Sequence, residues 1–278
     1  TIDYTEHRHI IHKLILVADV YLTGNIHIKT YLLFNVLSLL ILYRVFYLLF
    51  KEEMHDNTVF CSVFLILFTV VNYLNISWMA SLSNNILLML GFLSLYLNQQ
   101  KKYAMSVVSL LIALLSSYGA FIFFLINIIY LALRLQKAAI AYIVFLFISF
   151  YFYNQGLVNS DTYSLAVKLK YSWFVIWLFF CSLGSIGLNA IPATLIGILY
   201  VVFFFFLVKK KIYKTHPMLF SLILFIFITC FGIAFKRCNL GFSYILNTRF
   251  RQFSMLLTAF YIISLKVYYP SFFEKLKK

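Results

Sequence analysis

Long apolar runs, each bounded by a few polar residues, recur along almost the whole chain. They lie near residues 31–50, 59–77, 85–98, 104–117, 119–133, 138–153, 172–188, 190–208, 217–235 and 252–268. A bilayer core is crossed by roughly 17–25 consecutive apolar residues, whereas the strands of a membrane barrel alternate apolar and polar residues. The runs therefore predict an all-α, polytopic transmembrane helical bundle with about 9–10 spans or part-spans.

The composition supports a membrane protein and excludes a soluble domain. Hydrophobic residues make up 64% of the chain and charged residues only 11%, whereas about a quarter of the residues in soluble domains are charged. The 23 lysines and arginines outnumber the 8 acidic residues, but most of them stand in short connections beside apolar runs. In that position they set the orientation in the membrane, so we expect no nucleic-acid partner.

The distribution of positive charge orients the predicted helices. Residues expected on the cytoplasmic side are Lys51, Lys101, Lys102, Arg134, Lys137, Lys209, Lys210, Lys211, Lys214, Lys275, Lys277 and Lys278. The connections 77–85, 116–119 and 184–190 carry no charge and fit the outer side. A full crossing by 172–188 would place the Lys209–Lys214 cluster outside. We therefore expect residues 164–188 to lie on the outer face or to dip into it.

The chain has no linker long enough to separate two domains, and we interpret residues 1–278 as one integral membrane domain. Residues 1–30 form an outer-face loop with an amphipathic helix, 31–268 the helical bundle, and 236–251 a basic outer loop. The chain begins with Thr rather than Met. We therefore expect an upstream segment to be missing or removed, and the family resemblance described below implies that this segment is a spanning helix.

Acidic residues near the start of the chain are candidates for catalysis. Asp3 and Glu6 are three residues apart, so they share a face of a helical turn. A carboxylate at the membrane edge can accept a proton from an attacking hydroxyl, and a second can orient that hydroxyl or hold a divalent cation such as Mg²⁺ or Mn²⁺. The amphipathic pattern from Ile10 to Tyr21 predicts a helix on the membrane surface with Asp19 on its polar side. The histidines of "HRHIIH" lack the H-E-x-x-H spacing of a zinc site.

The last outer loop carries basic residues where the orientation rule disfavours them. Lys236, Arg237, Arg249 and Arg251 lie there with no acidic residue beside them. Guanidinium groups bind phosphate oxygens in a bidentate manner, and lysine adds a point charge. The loop therefore predicts binding of a lipid-linked phosphate or diphosphate. The alternative is that these side chains extend toward anionic lipid headgroups.

Two stretches resemble motifs of the C-type membrane glycosyltransferases, a broad superfamily that includes bacterial enzymes of surface-polysaccharide and O-antigen synthesis. "TEHRHIIHKLILVADVYLTGN" resembles an N-E-H-R-I…K-L…D…G stretch, and "KRCNLGFSYILNTRFRQFS" is similar to a G-R-x-x-x-G…S-R-Y…S stretch. Arg237, Gly241, Arg249 and Ser254 match the second motif. Thr5 replaces the first motif's Asn.

The resemblance implies a polyprenyl-phosphate-linked sugar as donor and an acidic residue of the first outer loop as catalytic base. Glu6 matches that residue, whereas Asp3 and Asp19 are added from their spacing. His7 and Arg8, which follow Glu6, join the basic residues of the last loop as candidates for phosphate binding. The two ends of the chain are then expected to converge beyond the outer leaflet.

These features favour a glycosyltransferase that moves a sugar from a polyprenyl-phosphate carrier to a surface glycan or lipid-linked acceptor. The enzyme would lie among the lipids of the bacterial inner membrane, with its active face toward the periplasm. An O-antigen polymerase would use the same arginines and is the main alternative. A lipid-linked sugar flippase is disfavoured, because transporters usually carry carboxylates inside their spans and these runs have none. A structural membrane subunit is a fourth reading.

Overall fold

The computed structural model describes residues 10–67, 81–154, 171–186, 189–236, 238 and 248–276. In chain order the helices are α1 (Ile10–Thr23), α2 (Ile28–Leu49), α3 (Asn57–Leu67), α4 (Ser81–Gln99), α5 (Tyr103–Leu114), α6 (Ala120–Leu133), α7 (Ala138–Asn154), α8 (Ser172–Leu183), α9 (Ala190–Lys209), α10 (Ile212–Thr215), α11 (Pro217–Lys236), α12 (Thr248–Tyr268) and α13 (Pro270–Leu276). A short 3₁₀ turn, Glu53–His55, precedes α3.

The described part of the chain is all-helical and contains no strand, as the apolar runs predict. Within it, three helices are long and apolar enough to cross a membrane: α2, α9 and α11. Several other apolar helices are shorter, among them α5, α6 and α8. The chain thus contains candidate membrane spans in an all-helical fold.

The helices cluster into two compact units. Unit 1 comprises residues 1–49 and 74–161, and unit 2 comprises residues 50–73 and 162–278. The chain enters unit 2 for a short excursion around α3, returns to unit 1, and then completes unit 2. The first two changes of unit, after Leu49 and after Tyr73, fall inside apolar runs, so no polar linker marks this division in the sequence.

In unit 1, the basic connections lie at one end of the helices. The Tyr103 hydroxyl donates a hydrogen bond to Gln136 over 3.2 Å, which joins the connection containing Lys101 to the one following α6. At the opposite end, the rings of Tyr118 and Tyr153 are 5.6 Å apart. The connections containing Lys101 and Arg134 therefore share one end of unit 1.

Buried amides connect the helices of unit 1. The Asn98 amide donates to the Asn127 side-chain oxygen over 2.6 Å, and Asn127 donates in turn to the Ser94 hydroxyl over 2.9 Å. The Tyr142 hydroxyl donates to Asn98 over 2.7 Å. Since an unpaired polar group is costly away from water, such hydrogen bonds fix how apolar helices pack.

In unit 2, polar side chains make contacts near both ends of helix α12. Near its C-terminus, Lys266 forms an ion pair with Asp56, the residue before α3. Near its N-terminus, the Ser254 hydroxyl donates to the Leu183 carbonyl over 2.6 Å. The fifteen residues from Arg251 to Lys266 correspond to about 22 Å along the helix axis. The two ends are therefore distinct environments.

Helix α8 enters unit 2 from the Arg251 end and stops inside it. It runs antiparallel to α11, because Val175 packs near Ala234 and the Phe179 ring lies 6.0 Å from the Phe227 ring. Its carboxyl end reaches Ser254 of α12, six residues or about 9 Å inside that helix. A helix that stops inside the unit is compatible with the dip into the outer face expected for 164–188, and that placement stays a prediction; residues 164–170, 187 and 188 lie outside the described part.

Close backbone contact holds α8 against α9. A Cβ atom added to Gly184 would overlap the Ala193 carbonyl oxygen, and one added to Gly197 would overlap the Phe180 carbonyl oxygen. Only glycine permits this approach at either position. Small residues of this kind allow apolar helices to pack closely when no water-driven force brings them together.

Candidate functional site

Helix α1 lies across one end of unit 1. Ile11, Ile15 and Leu16 on one face pack against Tyr31, Leu82 and Ile86, which begin α2 and α4. The backbone N–H of Ile10 donates to the Leu115 carbonyl at the end of α5 over 2.9 Å. The start of α1, which directly follows the predicted catalytic stretch, is thus fixed to the end of the unit opposite Lys101.

The other face of α1 is apolar and exposed. Ile10, Leu14, Val17 and Tyr21 recur at helical spacing, and Val17 and Tyr21 are 62% and 89% exposed. Lys13 is exposed beside them. Apolar residues therefore lie on both faces of α1, and Asp19 is buried rather than on an exposed polar side. The exposed apolar face is typical of a helix that lies in a membrane interface.

Asp19 faces into unit 1 and is only 5% exposed. Its Oδ2 accepts a hydrogen bond from the backbone N–H of His27 over 2.6 Å, and its Oδ1 accepts one from the Thr30 hydroxyl over 2.9 Å. These donors belong to the first turn of α2 and the residue before it. Asp19 therefore caps α2 and fixes the corner between the two helices. Gly24, with φ of +79°, allows the chain to leave α1.

The backbone N–H of His27 is the main cause of a lowered pKa for the Asp19 carboxyl, with further contributions from Thr30 and the His27 ring. Because the pKa is lowered on folding, the ionised carboxylate stabilises the corner. The stabilisation is complete above the ordinary value of 3.8 and is lost as the pH falls through the folded-state value.

Asp19→Asn should therefore loosen the α1–α2 corner at neutral pH, because an amide offers one acceptor where the carboxylate offers two. Limited proteolysis between Thr23 and Ile28 should be faster in the variant at pH 7. The difference from the original chain should shrink below pH 3.8. Lys13→Gln, on the exposed face of α1, is the control and should leave the rate unchanged. Equal rates for the Asp19 variant would show that the cap does not hold the corner.

Most of the predicted catalytic and phosphate-binding residues of the first loop are not among those described. Asp3, Glu6, His7 and Arg8 lie outside the described residues, as does Arg237 of the last loop. Their predicted roles and the expected convergence of the two chain ends stay predictions.

The remaining basic residues of the last loop flank the ends of two helices. Lys236 is exposed at the end of α11, and Arg249 belongs to the first turn of α12. Arg251 follows within the same helix and is only 6% exposed. The acidic residues of unit 2 are Glu52, Glu53, Asp56 and Glu274. Of these, Asp56 and Glu274 lie beside Lys266, at the other end of α12.

Buried hydroxyl groups surround the carboxyl end of α8 near Arg251. Ser254 lies one turn along α12 from Arg251 and therefore shares its face; its hydroxyl donates to the Leu183 carbonyl. Ser185, two residues beyond Leu183, is fully buried, and its hydroxyl has no hydrogen-bond partner among the described residues. A guanidinium and a hydroxyl are groups that can donate to phosphate oxygens. This region is the candidate phosphate-binding part of unit 2.

Sequence reasoning did not select several of these residues. Ser254 was matched in the resemblance but given no role, and Ser185 stands in a charge-free connection that carried no chemical signal. His27 and Thr30 follow Gly24, a helix-end signal that could have suggested a cap. The partners of Lys266 are distant in sequence and could not have been found from spacing.

The described residues contain no group of three His, Cys, Asp or Glu side chains that could hold a metal ion. Comparison of the chain with protein-family models, with curated proteins and with solved structures finds no match. The function is therefore inferred from the residues themselves.

Proposed function

We propose that this chain is a polytopic membrane glycosyltransferase that moves a sugar from a polyprenyl-phosphate carrier to a surface glycan. The observation that carries the proposal is Arg251, a guanidinium almost fully buried at one end of an apolar helical unit. Arg251 shares a face of α12 with Ser254, whose hydroxyl is fully buried and donates to the Leu183 carbonyl. A guanidinium suits the oxygens of a phosphate, because it can form two parallel charge-assisted hydrogen bonds with them. A phosphate bound at this end of unit 2 would therefore be recognised by its geometry as well as by its charge.

In the proposed reaction, Glu6 removes a proton from the acceptor hydroxyl as that oxygen attacks the anomeric carbon of the donor sugar. The bond from that carbon to the carrier phosphate breaks, and the phosphate leaves with its electron pair. Arg251 and Arg249, with Lys236, Arg237, His7 and Arg8, are proposed to stabilise the leaving negative charge. Asp3 is proposed to orient the acceptor or to hold a divalent cation.

Asp19 takes a positioning role in this proposal. It caps α2 and thereby fixes α1, the helix that directly follows the stretch containing Glu6. The exposed apolar face of α1 suits a position at the membrane edge, where a lipid-linked donor presents its phosphate. The proposed location is the bacterial inner membrane, with the active face toward the periplasm.

The test is sugar transfer from a radiolabelled polyprenyl-phosphate sugar in vesicles that contain the full chain. Glu6→Gln should lower the rate by roughly 10²–10⁴-fold, the usual contribution of a general base, while the protein remains inserted. Lys13→Gln is the matched control from the same stretch and should retain the rate. Full activity in Glu6→Gln would eliminate the proposed base.

Arg251 is tested separately, with Arg251→Lys and Arg251→Gln. The lysine variant keeps the charge but loses the bidentate fork, so transfer should fall less than in the glutamine variant. Gel filtration in detergent checks that both variants fold. Equal transfer by two folded variants would show that Arg251 does not bind the phosphate.

The products distinguish the alternative functions. Products with altered chain length would indicate a polymerase, and translocation without new glycosidic bonds would indicate a flippase.

A further inference from the structure

The end of unit 2 opposite Arg251 carries a dense group of positive charges. Lys209, Lys210, Lys211 and Lys214 lie within six residues, between α9 and α11, and all four are exposed. No acidic residue occurs between Lys209 and Pro217. Since α9 and α11 are both long and apolar enough to cross a membrane, this segment, the lysine loop, is placed where a membrane surface would meet the protein.

The lysine loop is held in position by the end of α12. Ile212 is fully buried, and the Thr215 and Tyr268 hydroxyls are 2.8 Å apart. The His216 ring lies 6.1 Å from the Tyr268 ring. The loop is therefore packed onto the unit, and its lysines project from a fixed backbone rather than from a free linker.

An apolar cavity shares a wall with this loop. The Lys210 Nζ lies 5.7 Å from the centre of the Phe206 ring, and that ring stacks on Tyr269 at 6.3 Å with an interplanar angle of 23°. Tyr269, Leu265, Ser271 and Phe272 line a cavity of about 320 Å³. Cationic groups and an apolar cavity thus lie side by side, joined by two aromatic rings.

We propose that the lysine loop and this cavity bind an anionic phospholipid, with the headgroup phosphate on the lysines and part of an acyl chain in the cavity. Lysine supplies point charges that suit a phosphate, and clusters of basic residues at the ends of spanning helices attract anionic lipids. Unit 2 also has four acidic residues outside the loop. Glu274 and Asp56 lie beside Lys266, and Glu53, whose pKa is raised by burial, interacts electrostatically with His216. The four lysines of the loop outnumber the exposed acidic residues of unit 2, which are Glu52 and Glu274.

A phospholipid is distinguished from free phosphate by the cavity. A soluble phosphate would use the lysines alone, whereas a lipid would also depend on the space beside Ser271. This site is independent of the proposed transferase region, because it lies at the opposite end of α12.

The experiment measures lipid retention on the full chain by native mass spectrometry in detergent, with added phosphatidylglycerol or phosphatidylcholine. The chain should retain phosphatidylglycerol preferentially. The triple variant Lys210→Gln, Lys211→Gln, Lys214→Gln should retain less phosphatidylglycerol by a factor of at least roughly ten, because each lysine near a membrane surface contributes to anionic-lipid binding. The control Lys101→Gln, Lys102→Gln, in an exposed basic connection of unit 1, should retain the original amount.

Ser271→Trp tests the cavity. It should weaken retention of phosphatidylglycerol but leave binding of glycerol 3-phosphate unchanged. Equal retention by the triple variant and the control, no preference over phosphatidylcholine, or full retention by Ser271→Trp would each overturn the proposal. Melting curves of each variant in detergent verify that a loss of lipid is not a loss of fold.

Discussion

Replacing Gly197 with valine should prevent unit 2 from folding stably. A Cβ atom at this position overlaps the Phe180 carbonyl oxygen, and a backbone atom in a packed helix cannot move aside as a flexible side chain can. Overpacking that forces the backbone to shift costs about 1–3 kcal/mol and occasionally more, and the two methyl groups of valine add to the overlap of the Cβ atom. The measurement is the thermal unfolding midpoint in detergent. It is read from the fluorescence of a fused reporter that remains in the gel-filtration peak of the folded protein after heating.

Gly232→Ala is the matched control for this change. Gly232 also lies in an apolar helix of unit 2, but a Cβ added there meets no atom within 4 Å. Because alanine favours helix over glycine by about 1 kcal/mol, this variant should unfold at the same temperature or higher. A Gly197→Val protein as stable as Gly232→Ala would mean that α8 and α9 are not in backbone contact.

Replacing Lys266 with methionine should also lower the stability of unit 2 strongly. The change removes the Lys266 ammonium from the Asp56 carboxylate, whose side chain is only 6% exposed. One oxygen of Asp56 still accepts the Thr58 backbone N–H over 3.0 Å, but a neutral donor does not replace a charge. Removing one partner of a buried ion pair costs about 3–5 kcal/mol. The unfolding midpoint should fall accordingly.

Glu274→Gln tests whether that loss is specific to the buried pair. Glu274 lies 4.0 Å from Lys266, but its side chain is 63% exposed. Exposed ion pairs contribute about 0–1 kcal/mol, so this variant should unfold close to the original midpoint. If the double change Asp56→Asn, Lys266→Met is as unstable as Lys266→Met alone, the uncompensated carboxylate is not the cause of the loss.

Local sequence patterns predicted the helices well, because each apolar run is self-contained. The run at 119–133 became α6 (Ala120–Leu133), and the run at 190–208 became α9 (Ala190–Lys209). These features depend on residues close in sequence, where hydropathy is sufficient.

Tertiary pairing accounts for what the sequence did not reveal. Asp56 and Lys266 are 210 residues apart, and no spacing rule connects them. Asp19 was assigned to the polar face of its helix, but its capping role depends on how the chain turns at Gly24. The close contact at Gly197 likewise requires the path of α8, a helix too short to have been placed by length alone. Each of these contacts depends on how helices pack in the folded unit and not on residues that are close in sequence.

The short reach of α8 into unit 2 has a consequence for how the chain would be threaded through a bilayer. If α8 enters and returns at one membrane face, it adds nothing to the count of crossings, and its two flanks emerge into the same compartment. Epitopes introduced just before Tyr171 and at Asn189 should therefore be reached by one and the same antibody added from a single side of sealed vesicles.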